Sequence, residues 1–283
     1  MMKTKIKSKG SRKKEKREIK KEKHSFKTRI IKLKEIPQLD NPILIEGLPG
    51  IGFVGKFAAE ALIDDLKAEK IAELYSHRFP HQVLFNKDGT IKMLNNEIYL
   101  YKRKKNDLLI LVGDVQPTSP EAQHEVMNII LDFFEELGGK TIYTLGGYSV
   151  GKILSHPRVL GSVTDKEMIN SLKKYGVVFG ITEGSIVGAA GLLLGLGKLR
   201  GMKGACLMGE THGSYIDHRA AKEVLEVLSK ILDIHIDVTK LEKKAKESEE
   251  IIKKIEEETK KAEAPISGIP ISPKKPDELT YIR

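Results

Sequence analysis

The chain has 283 residues, of which 40% are hydrophobic and 31% charged, and it carries a formal net charge of +10. That length supports one large α/β domain or two modest ones, while the single cysteine excludes an intramolecular disulfide and a cysteine-rich zinc site. Residues 1–28 hold 13 Lys/Arg and 3 Asp/Glu, a net of +10, so the remainder is neutral and a general nucleic-acid-binding body loses its electrostatic support.

Residues 1–28 read as a solvated, disordered basic tail, although such a tail could touch RNA, DNA or an acidic protein face. The tail lacks a following apolar segment, so it is not a secretory signal. No stretch approaches the roughly 20 continuous apolar residues of a membrane span. The expectation is a cytoplasmic protein with no membrane association.

Residues 29–238 read as one α/β body. Pro42 to Glu46 is a short apolar strand, followed by a glycine turn and a helix from about Gly52 to Leu66. In residues 73–103 the short apolar runs Leu84-Phe85, Met93-Leu94 and Ile98 to Tyr101 are separated by Asp88-Gly89 and Asn95-Asn96, a hairpin pattern at a sheet edge. Asp107 to Gly113 is apolar throughout, as in a strand buried on both faces. Pro120 to Leu137 has Val126, Ile129, Ile130, Phe133 and Phe134 at helical spacing, and Gly138-Gly139 ends it. Thr141 to Leu145 is the next strand, Gly176 to Gly180 begins a further βα passage, and Gly204 to Gly209 is the last core strand. Arg219 to Leu232 is a closing amphipathic helix. Strands separated by helices imply crossovers, hence a mainly parallel sheet in a three-layer α/β/α sandwich.

Residues 239–264 repeat Leu241, Ala245, Ser248, Ile252, Ile255, Thr259 and Ala262 at heptad spacing, which predicts a projecting amphipathic helix. Residues 265–283 form an arm punctuated by Pro265, Pro270, Pro273 and Pro276, ending in Leu279, Tyr281, Ile282 and Arg283. Apolar and aromatic groups on such an arm suit docking into another protein's pocket.

No catalytic, metal or cofactor set emerges. Gly50, Gly52 and Gly55 have G-x-G-x-x-G spacing after a strand, but no acidic residue stands at the expected distance and Phe53 puts a ring into the turn. Lys56 is misplaced for a phosphate-binding loop, and Phe57 stands where Ser or Thr is required. Gly47, Gly50, Gly52 and Gly55 therefore read as a structural turn packing helix against sheet. Glu183, Glu210 and His212 lack metal-ligand spacing. Ser119, Ser149 and Ser185 lack a nucleophile-elbow context, and Cys206 lies in an apolar run as core. Gly184 to Gly201 mixes small residues with the Leu192–Leu196 run and reads as close-packed core, with an oligomer contact as the alternative.

Taken together, Glu46 to Gly55, Thr182-Glu183-Gly184 with the run that follows, and Gly209 to Tyr215 leading to Asp217 and Arg219-Ala220-Ala221 resemble the archaeal branch of the proteasome assembly chaperone family over residues 35–235. That resemblance implies a phosphorylase/hydrolase-like α/β/α fold without catalytic activity. It also implies a homo-oligomer, or a hetero-oligomer with a paralogue, that engages α-subunits of the proteasome core particle without ATP. Activator tails of this kind end with tyrosine penultimate and a terminal carboxylate that pairs with a lysine. Here Tyr281 is one position earlier, and the role carries to Leu279, Tyr281, Ile282 and Arg283. The resemblance leaves assembly chaperone and activator both open. Fold relationship alone suggests a phosphorylase- or hydrolase-like enzyme as one alternative, and the basic tail suggests an RNA-associated protein as another.

Overall fold

A computed structural model describes residues 26–250 except 182 and 249. The basic tail up to residue 25 and the arm Leu279, Tyr281, Ile282 and Arg283 lie outside the described residues. The first strand, β1 (Arg29–Lys32), is four residues long and carries Arg29 and Lys32. After it come β2 (Ile43–Gly47), a 3-10 turn at Ile51–Phe53, and α1 (Val54–Leu66). Then follow β3 (Glu69–Tyr75), β4 (Val83–Phe85), β5 (Ile91–Met93), β6 (Asn96–Tyr101) and β7 (Leu108–Gly113). The second half contains α2 (Pro120–Glu136), β8 (Thr141–Ser149), β9 (Val159–Val163), α3 (Glu167–Lys173), α4 (Ala189–Leu199), β10 (Lys203–Thr211) and α5 (His218–Leu232).

Eight strands form one sheet in the order β1-β3-β6-β7-β2-β8-β10-β9. Its centre, β7-β2-β8-β10, is parallel throughout. Strand β3 shares that direction, while β6, β1 and β9 run antiparallel to their neighbours. The sheet is thus mainly parallel with antiparallel margins.

Alternation along the central strands sends successive side chains to opposite faces and builds two cores. Ile45, Ile110, Tyr143 and Leu207 face one way and meet Ala58 and Leu62 of α1 and Val224 and Leu228 of α5. Leu44, Leu109, Ile142 and Cys206 face the other way and meet Val126, Ile130 and Phe134 of α2 and Leu193 of α4. The result is the expected three-layer sandwich. Helix starts follow local chemistry. The Ser119 side chain accepts from the Ala122 amide ahead of Pro120, and Asp217 accepts from the Ala220 amide. Gly138, at φ 85°, ends α2 in the left-handed conformation.

The structure corrects several expectations. Gly176 to Gly180 is not a strand. Its Val178 makes one isolated parallel bridge to Leu160 and lies along β9, where Val177 and Phe179 fill the space that a side chain at Gly161 would need. The hairpin region resolves into two full strands of the main sheet, β3 and β6, and a separate two-stranded ribbon, β4-β5. The helical stretch 239–248 does not project within the described residues. Leu241 and Ala245 are buried, Leu241 within the α1–α5 core, and Ser248 hydrogen-bonds His218 at 3.1 Å. The later seam positions, Ile252, Ile255, Thr259 and Ala262, lie outside the described residues.

Candidate functional site

The chain leaves β2 toward α1 on one face and leaves the adjacent parallel strand β7 toward α2 on the other. Loops that part in this way open a crevice beyond the carboxyl ends of the strands, the place where open α/β sheets take ligands. Here the crevice is a cleft of about 600 Å³. Its walls come from the glycine turn after β2, the loop after β7, the end of β8 and the segment 185–188 before α4.

The glycine turn is built by close approach. A Cβ on Gly55 would stand 2.1 Å from the Leu145 carbonyl oxygen, and one on Gly47 would stand 2.4 Å from Ala59 Cβ. These two glycines let α1 sit directly on β2 and β8. Gly52 has φ 62°, a conformation that costs side-chain-bearing residues. Phe53 pays that cost, at φ 54°, as the residue preceding α1. Gly50 differs from the other three. Its backbone is extended, and an added Cβ would meet nothing closer than 4.0 Å. Gly50 lines the cleft rather than packing the helix. No phosphate cradle is needed to explain the turn.

Glu46, at the end of β2, is the most unusual residue of the cleft. It is 1% exposed. One carboxyl oxygen accepts from the Leu48 amide at 2.9 Å, and the other has no hydrogen-bond partner. Burial raises its pKa from the usual carboxylate value to about 8, partly countered by the Leu48 hydrogen bond. Across the sheet, Glu46 lies beside Thr144, and Thr144 beside Cys206. The Thr144 side chain is also fully buried. Burial pushes the Cys206 thiol up to about 12, so it is not a nucleophile at neutral pH.

Gln116 ties the cleft walls together. Its amide donates to the Pro49 carbonyl at 2.7 Å, and its oxygen accepts from the Ala189 amide at 2.9 Å and from Gln123 at 3.1 Å. One side chain thereby joins the glycine turn, the β7–α2 loop and the start of α4.

The polar residues singled out in the sequence do not converge on one centre. Glu210 pairs with Arg158 through both carboxylate oxygens, with the Arg158 Nε contact at 2.9 Å. That guanidinium holds the Glu210 carboxyl below the usual range. His212 stacks near Tyr215, with ring centroids 4.7 Å apart, and Ser149 donates to the His212 carbonyl at 3.0 Å. Asp217 caps α5 and binds the Gly52 carbonyl through its own amide at 2.9 Å. This contact explains why the 209–217 segment and the glycine turn belong to one constellation. Among the described residues no three His, Cys, Asp or Glu side chains are placed to hold a metal. Gln116 and the cleft role of Glu46 were missed in the sequence. A lone Gln carries no spacing signal, and Glu46 is embedded in an apolar strand.

A second opening, of about 730 Å³, lies between α2 and α4 and shares Gln123 and Ile186–Gly188 with the cleft. Leu193 and Leu194 of α4 are core, but Leu199 is 86% exposed and Val187 is 87% exposed. The glycine- and leucine-rich segment is therefore only partly core. Its outer side leaves an apolar surface.

The profile of the PAC2 family matches residues 44–256. An uncharacterised protein of Methanocaldococcus jannaschii is 42% identical over 259 residues, spanning 91% of this chain and 99% of the relative. The crystal structure of Pyrococcus furiosus PbaB, an archaeal proteasome activator, is similar with a TM-score of 0.77 at 47% identity, covering 81% of this chain and 99% of that one. That of P. furiosus PbaA, an archaeal homolog of proteasome-assembly chaperone, is similar with a TM-score of 0.68 at 29% identity, covering 84% and 94%. The matched span includes the glycine turn and the closing helix, and the chain belongs to the PAC2 family.

Proposed function

We propose that this chain is a binding protein of the proteasome core particle, acting without ATP as an activator or assembly chaperone. The observation that carries this reading is the 47% identity to an archaeal proteasome activator across 99% of that chain. The absence of a phosphate-loop motif from the sequence and the structural explanation of the glycine turn support ATP independence. The inert Cys206 and the pairing of Glu210 with Arg158 support a binding rather than catalytic body.

Docking runs through the C-terminal arm, with Leu279, Tyr281 and Ile282 entering a pocket between α-subunits and the Arg283 carboxylate capturing a donor there. The globular body holds a cytoplasmic homo-oligomer, or a hetero-oligomer with a paralogue, that presents several arms to one ring and so gains avidity. Among the described residues no helix is long and apolar enough to cross a membrane.

The test measures binding of the full chain to purified core particle without nucleotide, together with peptidase activity of the mature particle. Stimulated peptide cleavage identifies an activator, whereas faster assembly of free subunits without stimulation identifies a chaperone. Failure to bind either the particle or its α-subunits would overturn the proposal.

A further inference from the structure

The 600 Å³ cleft has features that proteasome docking does not use. It sits where the β2 and β7 connections diverge, and its lining is mainly apolar, including Leu48, Ile51, Ile186 and Met208. Two buried polar atoms of residues lining it lack partners: a carboxyl oxygen of Glu46 and the side-chain carbonyl of Gln123. Each can accept a hydrogen bond from an occupant of the cleft. A buried polar group left without a partner costs about 1–3 kcal/mol, so such atoms gathered at one opening point to an occupant that supplies N–H or O–H groups.

Charge narrows the class. Among the described residues that line the cleft there is no Lys, Arg or His, and Glu46 is the only carboxyl. An anion would meet no counter-charge and would face an acid. A cation would favour loss of the Glu46 proton to solvent, because that carboxyl lacks a cationic partner among the described residues, and the charge-assisted hydrogen bond then formed is strong in a low-dielectric surround. Gly50 and Gly146 keep the walls open. An added Cβ at either position would have no neighbour closer than 4.0 Å.

We infer that this cleft binds a small organic cation, an amine or amidine carried on an apolar body, with Glu46 as its anchor. The cationic N–H groups donate to the free Glu46 oxygen and to Gln123, and the apolar body lies along Leu48, Ile51 and Met208. The site is distinct from the C-terminal arm and independent of whether that arm docks.

The test is calorimetric titration of the full chain at about pH 9, above the value of about 8 at which burial lets Glu46 ionise, with benzamidine, using the neutral isostere benzamide and the anion benzoate as controls. Benzamidine is expected to bind about tenfold or more tightly than either control, the factor that one charge-assisted contact of about 1.4 kcal/mol supplies. Glu46→Gln should remove that preference. Gly146→Val fills the cleft from β8, where an added Cβ would meet only Met208 at 4.0 Å, and should weaken benzamidine in a protein whose unfolding midpoint is unchanged. Equal binding of benzamidine and benzoate would overturn the assignment. So would unchanged benzamidine affinity in both variants, or no benzamidine binding to the wild-type chain at about 10 mM, where a site of even −4 kcal/mol would be well occupied.

Discussion

Replacing Glu46 by Gln gives a quantitative reading of how the buried carboxyl burdens the fold. The carboxyl titrates near 4.5 when solvated and at about 8 in the folded protein, with burial as the main cause. Below the lower value both states hold the proton and pH has no effect through this group. Between the two values the folded protein keeps a proton that the unfolded chain releases, so stability falls as pH rises. The slope is about 1.4 kcal/mol per pH unit, and the loss levels off at about 5 kcal/mol above the folded value. Cys206 and Tyr148 are the other titratable side chains lining the cleft, and the Cys206 thiol titrates near 12, outside this window. Gln preserves an acceptor for the Leu48 amide but buries an extra N–H, a cost that is independent of pH. The informative quantity is therefore the difference in slope, not the absolute stability. Denaturant unfolding of both chains at several pH values between about 5 and 8 measures it, since titration of the exposed groups cancels in the difference. The stability of the variant relative to wild type should climb steadily across that range. Parallel profiles would show that burial does not raise the Glu46 carboxyl, and this account of its titration would fail.

Other expectations follow from the same structure. Gly55→Ala drives a methyl into the Leu145 carbonyl and should cost about 1–3 kcal/mol in chemical denaturation, whereas Gly50→Ala should change stability by less than about 0.5 kcal/mol. Deleting Tyr281 to Arg283 should weaken core-particle binding by more than about tenfold, as loss of a tyrosine anchor worth about 2 kcal/mol implies, with an unchanged melting temperature; equal affinities would place docking on the α/β body. Val187→Asp with Leu199→Asp puts charge on the exposed edge of the α2–α4 opening and should shift sedimentation toward the monomer, while a chain ending after Glu250 should keep its assembly state. Cutting earlier, after Val238, would confound that measurement by removing the buried Leu241 and Ala245.

What the sequence disclosed depended on how local each signal was. Asp107 to Gly113 and Pro120 to Leu137 were legible because burial on both faces and a helical stripe each leave a continuous pattern, and β7 and α2 match them within a residue. Strand β3 was not, because Glu69, Lys70 and Glu73 give it an amphipathic, charged look, and its place is decided by pairing with β6 and β1. Strand β9 is a short margin whose Gly161 is required by Val177 and Phe179, residues that themselves mimic a strand. In the candidate site, the spacing of the glycines was visible but their division of labour was not. Gly55 and Gly47 are dictated by backbone contacts with strands far along the chain, and Gly50 by an opening. The heptad from Leu241 suggested a partner helix, whereas its first positions meet α1 and α5 of the same chain, a choice that only tertiary packing makes.

The margins of the sheet bear on whether strands of other molecules can add to it. At one end stands β1, four residues long and carrying Arg29 and Lys32. At the other, β9 is flanked by the 177–179 segment, whose Val178 amide and carbonyl already bond to Val159 and Gly161. An intruding strand finds a charged stub at the first margin, and at the second it finds β9 already covered by the short 177–179 segment. Growth by strand addition, the route to open-ended fibrils, is therefore disfavoured, by charge at one end and by a very short cover at the other. Helix-face association can instead close into a finite ring or cluster, and that is the geometry a cell can tolerate at high protein concentration.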